Sequence, residues 1–192
     1  MTLDGELPVS NWRVRDRILT TESHTLVMGF VNATPDSFSD GGGHLTREAA
    51  VAHGLAMWAQ GADIIDVGGE STRPGAVPVP RADEVGRVVP VVSDLVEAGA
   101  VVSIDTMKAA VAEAAIAAGA HIVNDVSALG DPDMAAVCAR SGVGVVLMHM
   151  QGTPQTMQDN PSYTDVVADV LAFLDERSAA CLLYTSPSPR DL

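Results

Sequence analysis

Residues 28–43 read MGFVNATPDSFSDGGG, and the break inside that stretch decides how the whole chain is organised. Leu26, Val27, Met28, Phe30 and Val31 form an apolar run of the kind a parallel sheet buries on both faces. At Asn32 the run gives way to turn formers, Thr34-Pro35-Asp36-Ser37 and then Gly41-Gly42-Gly43. An amide (Asn32), two carboxylates (Asp36, Asp40) and an aromatic ring (Phe38) therefore crowd together just past a strand end. Hard oxygen donors suit Mg²⁺, which takes few protein ligands and shares its shell with water and substrate phosphates. The glycines would let such a loop open and close over a ligand.

The same pattern of apolar strand, polar tip and helix recurs four more times. Asp63-Ile64-Ile65-Asp66-Val67 breaks at Gly68-Gly69 into Glu70-Ser71-Thr72-Arg73-Pro74-Gly75. Val101-Val102-Ser103-Ile104 ends in Asp105, and His121-Ile122-Val123 ends in Asn124-Asp125. The run from Val143 to Met148 leads into His149-Met150-Gln151-Gly152.

Helical spacing fills the gaps between these strands. Thr46 is placed to cap a helix with Ala49, Ala52, Leu55, Ala56 and Ala59 on one side, ending at Gly61. A second helix over 82–98 turns Val85, Val88, Val89, Val92 and Val96 inward, and Pro90 predicts a kink or a late start. Thr106 is placed to cap a third helix running to about Gly119. Asp131-Pro132-Asp133 reads as the start of a fourth, ending near Gly142. A last helix from about Ser162 carries Val166, Val167, Val170, Leu171 and Leu174.

Five strand–loop–helix units in succession demand an α/β fold with a parallel sheet. An open flavodoxin-like sheet needs only five strands, whereas a (β/α)₈ TIM barrel needs eight. Every strand here ends in a polar cluster, and a barrel brings all its strand C-termini to one mouth, so the barrel is favoured. A barrel takes about 250 residues, which makes this one incomplete, with about five βα units. Residues 1–25 read as an N-terminal extension forming a short strand pair under the sheet. The barrel domain spans 26–180.

Composition narrows the class of function. The chain has 192 residues and a formal net charge of −14, from 25 acidic against 11 basic side chains, which argues against a nucleic-acid partner. Cys138 and Cys181 form no disulfide framework and suit a reducing cytoplasm; Cys138, set among apolar neighbours, reads as a packed thiol. No stretch has the length of a membrane span or the layout of a secretion signal.

The segments MGFVNATPDSFSDGGG, DIIDVGGESTRPGA, VSIDT, HIVNDVSAL and LMHMQGTPQTMQ together resemble the successive strand-end motifs of the dihydropteroate synthase (pterin-binding) family. The resemblance covers Leu26 to Phe173. It implies a transferase of folate biosynthesis on a (β/α)₈ barrel, which condenses (7,8-dihydropterin-6-yl)methyl diphosphate with 4-aminobenzoate and releases diphosphate.

Residue by residue, it implies that Asn32 ligates Mg²⁺ and that Asp36 and Asp40, in a mobile first loop, screen the metal. Phe38 and Pro74 would wall the 4-aminobenzoate pocket. Thr72 and Arg73 would hold phosphate oxygens, Asp105 and Asn124 the pterin edge, and Met148 the ring face. Asp66 and Asp125 read as barrel-interior hydrogen-bond partners, and His149 as structural. The family also implies a homodimer, through late helices that this sequence lacks.

The resemblance stops before three further strands that the family would supply. The chain instead closes on CLLYTSPSPRDL, residues 181–192, where Ser-Pro repeats break a helical pattern. Those residues read as a foreign tail on a truncated chain. Two other readings follow: an inactive fragment with at most weak pterin binding, or a pterin-dependent methyltransferase. The NATPDSFSDGG and ESTRPGA loops argue against the last, because a methyl carrier has no diphosphate to hold.

Overall fold

The computed structural model describes residues 10–33, 46–71 and 77–185. A two-stranded antiparallel hairpin comes first, β1 (Asn11–Val14) and β2 (Arg17–Thr20). Five parallel strands follow: β3 (Met28–Asn32), β4 (Ile64–Gly68), β5 (Val102–Asp105), β6 (Ile122–Asp125) and β7 (Gly144–Leu147). Between and after them lie α1 (Arg47–Ala59), α2 (Arg81–Glu97), α3 (Ala109–Ala117), α4 (Met134–Ser141) and α5 (Val166–Thr185).

The order of the parallel strands in the sheet is their order in the chain, β3-β4-β5-β6-β7. An open doubly wound sheet reverses its order at a switch point and places helices on both faces. Here the order never reverses. Right-handed crossovers then put every helix on one side, where α1 packs on α2, α2 on α3, α3 on α4 and α4 on α5. The sheet is an arc of a (β/α)₈ barrel, five βα units long.

Each strand consequently has two unlike faces. Val31, Ile65, Val67, Val102, Ile104 and Val123 point toward the helices and form the main core with Val88, Val91, Val92, Leu95 and Met134. On the opposite, interior face, Ile64 and Ile122 meet Val14 of the hairpin, with Trp12, Leu19 and Met28 packed around them. The hairpin thus plugs the floor of the arc. Arg15, at its tip with φ +56°, receives φ relief from no glycine but gains three anchors. Its backbone N–H donates to Gly142 O at 2.8 Å, and its Nη1 donates to Ile116 O and Ala120 O at the end of α3.

Several local expectations need correction. Thr46 does cap α1, accepting from Ala49 N at 3.3 Å. The buried residues of α1 are, however, Ala50 and Gly54 rather than the alanine side. Gly54 lies where a Cβ would come within 2.9 Å of Leu95 Cδ2, so the approach of α2 selects that face. Pro90 sits inside a continuous α2, whose buried residues are Glu84, Val88, Val91, Val92 and Leu95.

Thr106 does not begin α3, which starts three residues later at Ala109. Asp131 spans two elements: Oδ1 accepts from Asp133 N in its own turn, while Oδ2 caps α3 by accepting from Ala109 N at 2.9 Å. The last helix begins at Val166, not Ser162, and leaves Val166, Val167 and Leu171 exposed. It continues to Thr185, so residues 181–185 of the segment read as a foreign tail are helical, and 186–192 lie outside the described residues.

Candidate functional site

Parallel strands in register put paired residues on the same face, and one row runs across the C-terminal end of the sheet. Asn32 pairs with Gly68, Gly68 with Asp105, Asp105 with Asn124, and Asn124 with Val146. The amide, the carboxyl and the second amide therefore face one mouth. Met148 lies two residues beyond Val146, its N–H donating to Asp125 O at 3.4 Å and so extending the ladder past β7. Asp36, Phe38, Asp40, Thr72, Arg73 and Pro74 lie outside the described residues.

One row deeper, Phe30 pairs with Asp66 and Asp66 with Ser103. Asp66 is only 1% exposed. Its Oδ2 accepts from Asn124 Nδ2 at 3.0 Å, which fixes the amide of the row above. Its Oδ1, the Ser103 hydroxyl and Asp105 Oδ1 are buried without a hydrogen-bond partner of good geometry. Burial pushes the Asp66 carboxyl above its ordinary range and outweighs the nearby Ser103 and Asn124 dipoles.

Asp105 is shifted further, to about 7. Burial contributes most, followed by the like charges of Asp66, Glu84, Asp125 and Glu70. A buried polar atom without a partner is costly. Two such carboxyl oxygens, Asp66 Oδ1 and Asp105 Oδ1, lie in adjacent rows on the interior face.

Asp125 corrects its expected role. It alternates with Asn124 and so faces away from the interior, fully buried. Oδ1 accepts from Ser127 N and Ser127 Oγ at 2.8 and 2.6 Å, and Oδ2 accepts from Leu129 N at 2.8 Å. It staples the β6–α4 turn, where Ala128 and Leu129 both take positive φ (+51° and +64°). Arg177 of α5 donates to both of those carbonyls.

His149 packs edge-on against Phe173, ring centroids 4.9 Å apart, with Tyr163 at 5.8 Å, in keeping with a structural part. Cys138 is 2% exposed and burial pushes its thiol up to about 12, so it packs and does not react.

The sequence reading passed over Glu84 and Lys108 and gave Thr106 and Glu70 other places, as a helix cap and in a polar loop; the tertiary structure gathers the four beside Asp105. Glu84, at the head of α2, is 1% exposed. Thr106 Oγ1 donates to Glu84 Oε1 at 2.7 Å, and Lys108 Nζ bonds both Glu84 and Glu70. Burial works against the Lys108 charge, but the two carboxylates outweigh it and raise its pKa. A signal existed: Glu84 stands one turn before Val88 on the stripe that continues through Val91, Val92 and Leu95.

Among the described residues, no group of three or more His, Cys, Asp or Glu side chains could hold a metal ion. Asn32, exposed at the end of β3, offers one neutral hard oxygen at the mouth. That donor fits an ion held mainly by substrate phosphates and water, as Mg²⁺ is. No helix among the described residues is long and apolar enough to cross a membrane.

A parallel α/β barrel arc with carboxyl and amide side chains at its C-terminal rim has the layout of a barrel enzyme's active-site face. The family model for pterin binding enzymes matches residues 28–185, and the chain belongs to that family. It is 49% identical to the dihydropteroate synthase of Escherichia coli K12 over 160 residues, 83% of this chain and 57% of that protein. It is 51% identical to the Mycobacterium leprae enzyme over 160 residues, 80% of this chain and 56% of that protein.

Among solved structures, Xanthomonas albilineans dihydropteroate synthase with 4-aminobenzoic acid superposes with TM-score 0.83 at 49% identity, covering 94% of this chain and 64% of that one. The Burkholderia cenocepacia enzyme complexed with 7,8-dihydropteroate gives TM-score 0.82 at 40% identity, covering 94% and 61%. The chain thus spans somewhat over half the length of the curated relatives it matches.

Proposed function

We propose that the protein acts as a dihydropteroate synthase, joining (7,8-dihydropterin-6-yl)methyl diphosphate to 4-aminobenzoate. The observation that carries this reading is the buried, unpartnered Asp105 carboxyl oxygen, in register with Asn124 and one row above Asp66. A pterin presents ring and amino N–H donors beside acceptors on one flat edge. Asp105 accepts from that edge, while Asn124, held by Asp66, supplies a fixed amide. Met148 lies against the ring face. Thr72 and Arg73 bind the phosphate oxygens, Arg with a planar fork that a lysine cannot imitate. Phe38 and Pro74 wall the 4-aminobenzoate pocket, and Asp36 and Asp40 add negative charge near the cationic methylene.

The reaction breaks the methylene C–O bond, releases diphosphate, forms a C–N bond to the arylamine and sheds one amine proton. Asn32 would hold Mg²⁺ at the diphosphate, where the ion supplies charge neutralisation to the leaving group. Electron-rich pterin stabilises the methylene cation. The arylamine is nucleophilic without a strong base, so positioning and electrostatics dominate. Two packed thiols and the acidic surface agree with a cytoplasmic setting.

The test is equilibrium binding of 6-hydroxymethylpterin to the chain and to its Asp105→Asn form. The reading expects binding by the former and a loss of at least about tenfold in the latter, the worth of one charge-assisted hydrogen bond. Equal affinities would remove Asp105 from the pterin edge and the reading with it.

A further inference from the structure

We propose that Glu84, with Lys108 and Glu70, is the positioning cluster of Asp105: it fixes the turn by which the chain leaves β5 and sets a fixed charge behind that carboxyl. The proposal rests on the pterin reading only for its use, since the cluster acts on Asp105 whether or not a pterin is the ligand.

The geometry is a lock on both sides of one residue. Asp105 is the last residue of β5, and the turn after it must redirect the chain into α3. Thr106 N–H donates to Asn124 O at 3.1 Å, tying the turn to β6. Thr106 Oγ1 donates to Glu84 Oε1 at 2.7 Å, tying it to α2. The same hydroxyl oxygen accepts from Lys108 N at 3.2 Å. Lys108 then bonds the other oxygen of Glu84, and also Glu70, which leaves β4. Three elements converge on the turn, so the backbone that leaves Asp105 cannot shift without breaking the Thr106 and Lys108 contacts.

A carboxylate costs several kcal/mol to bury even when paired (on the order of that per ion). An apolar residue at position 84 would continue the stripe of α2 at less cost. The chain instead places an acid there and surrounds it with a hydroxyl and an ammonium. Backbone approach confirms how tight the arrangement is: a Cβ on Gly69 would lie 2.6 Å from Val88 Cγ1 and 3.0 Å from Glu84 Cγ. Arg87, one turn on, donates to Gly69 O at 3.1 Å and anchors the same junction.

The consequence is electrostatic as well as geometric. The charged groups close enough to act on Asp105 are Asp66 on β4, Glu70 just past it, Glu84 on α2 and, from the far side of the sheet, Asp125 on β6, with Lys108 paired to Glu70 and Glu84. Burial first, and then carboxylates that outnumber the cations, hold the Asp105 proton to about pH 7. A ligand offering N–H donors prefers the ionised carboxyl. Its affinity therefore falls as pH drops through the Asp105 midpoint, about tenfold per unit well below it.

Glu84→Gln separates position from charge, because the amide oxygen still accepts from Thr106 while the negative charge is gone. Asp105 is followed by ¹³C NMR of its carboxyl carbon in the whole 192-residue chain, which reads the proposal without any ligand. The midpoint is expected to move down from about 7, by about one unit. Glu70→Gln provides a second variant that leaves the Thr106–Glu84 bond intact, and it should also lower the midpoint. 6-Hydroxymethylpterin binding between pH 5 and 8 should then hold to lower pH in both variants than in the parent chain.

An Asp105 midpoint unmoved in both variants overturns the proposal, as does an equal shift in a distant charge control, Glu113→Gln. Lowered midpoints in a chain that binds no pterin at any pH support the cluster while refuting the pterin reading. A purely packing role for Glu84 predicts lower stability but no change of midpoint.

Discussion

Asn124 Nδ2 donates to Asp66 Oδ2 at 3.0 Å, linking β6 to the middle of β4 across β5 on the interior of the barrel arc. The bond holds the Asn124 amide nitrogen against Asp66 and so fixes the orientation of the amide. Beside it, Asp66 Oδ1 and Asp105 Oδ1 are buried acceptors without partners, an unfavourable electrostatic balance on the interior face.

That imbalance gives a pH signature. The Asp105 carboxyl titrates near 7 in the fold and near the ordinary 3.8 when unfolded. Between those values the folded state holds the extra proton, so the contribution of Asp105 to stability is greatest at acid pH and declines as pH rises from about 4 to about 7. Asp105→Asn should abolish that slope and stabilise the chain at pH 8 by on the order of 2 kcal/mol, with little gain at pH 4. Urea melts at the two pH values measure this. A gain of the same size at both would contradict it.

His121 gives the opposite slope. Its Nδ1 accepts from Val102 N at 3.2 Å, which requires a neutral ring. Burial lowers its pKa, aided by Arg17 and Arg15 and opposed by Asp16. Stability from this residue is therefore full above about 6.5 and lost as pH falls below it. Replacing it, His121→Asn, should flatten the thermal stability profile between pH 7 and 5, read by circular dichroism.

Asn32 is expected to act on the diphosphate arm of the substrate rather than on the ring. In an Asn32→Ala chain, the affinity gained on adding the diphosphate to hydroxymethylpterin in the presence of Mg²⁺ should fall at least about tenfold, equivalent to ~1.4 kcal/mol. Binding of free hydroxymethylpterin should be unchanged. Calorimetry with both ligands decides the matter, and parallel losses would take Asn32 out of the metal role.

Gly144 begins β7 directly over the floor plug. A Cβ there would lie 2.6 Å from both Trp12 Cζ2 and Val14 Cγ1. Gly144→Ala should cost about 1–3 kcal/mol by overpacking. Gly86, whose Cβ would meet nothing within 4 Å, should tolerate alanine or gain from it, since alanine favours helix. Paired denaturation curves test the contrast.

The sequence by itself determined the five βα units, their parallel sheet and the placement of Asn32, Asp105 and Asn124 at strand ends. Those features follow from local periodicity and from the rule that functional side chains gather where parallel strands finish. Only the tertiary structure decided that strand order never reverses, which separates a barrel arc from an open sheet of the same five strands. It likewise decided that Asp125 faces away from the site, because alternation inverts the side of adjacent residues and two neighbouring acids look alike in a sequence. Asp131 capping α3, and Glu84 meeting Thr106 and Lys108, join segments about twenty residues apart or more, a pairing set by how α2, α3 and α4 pack on the sheet. Hydrogen-bond partners at that separation depend on packing, and packing is a property of the whole fold.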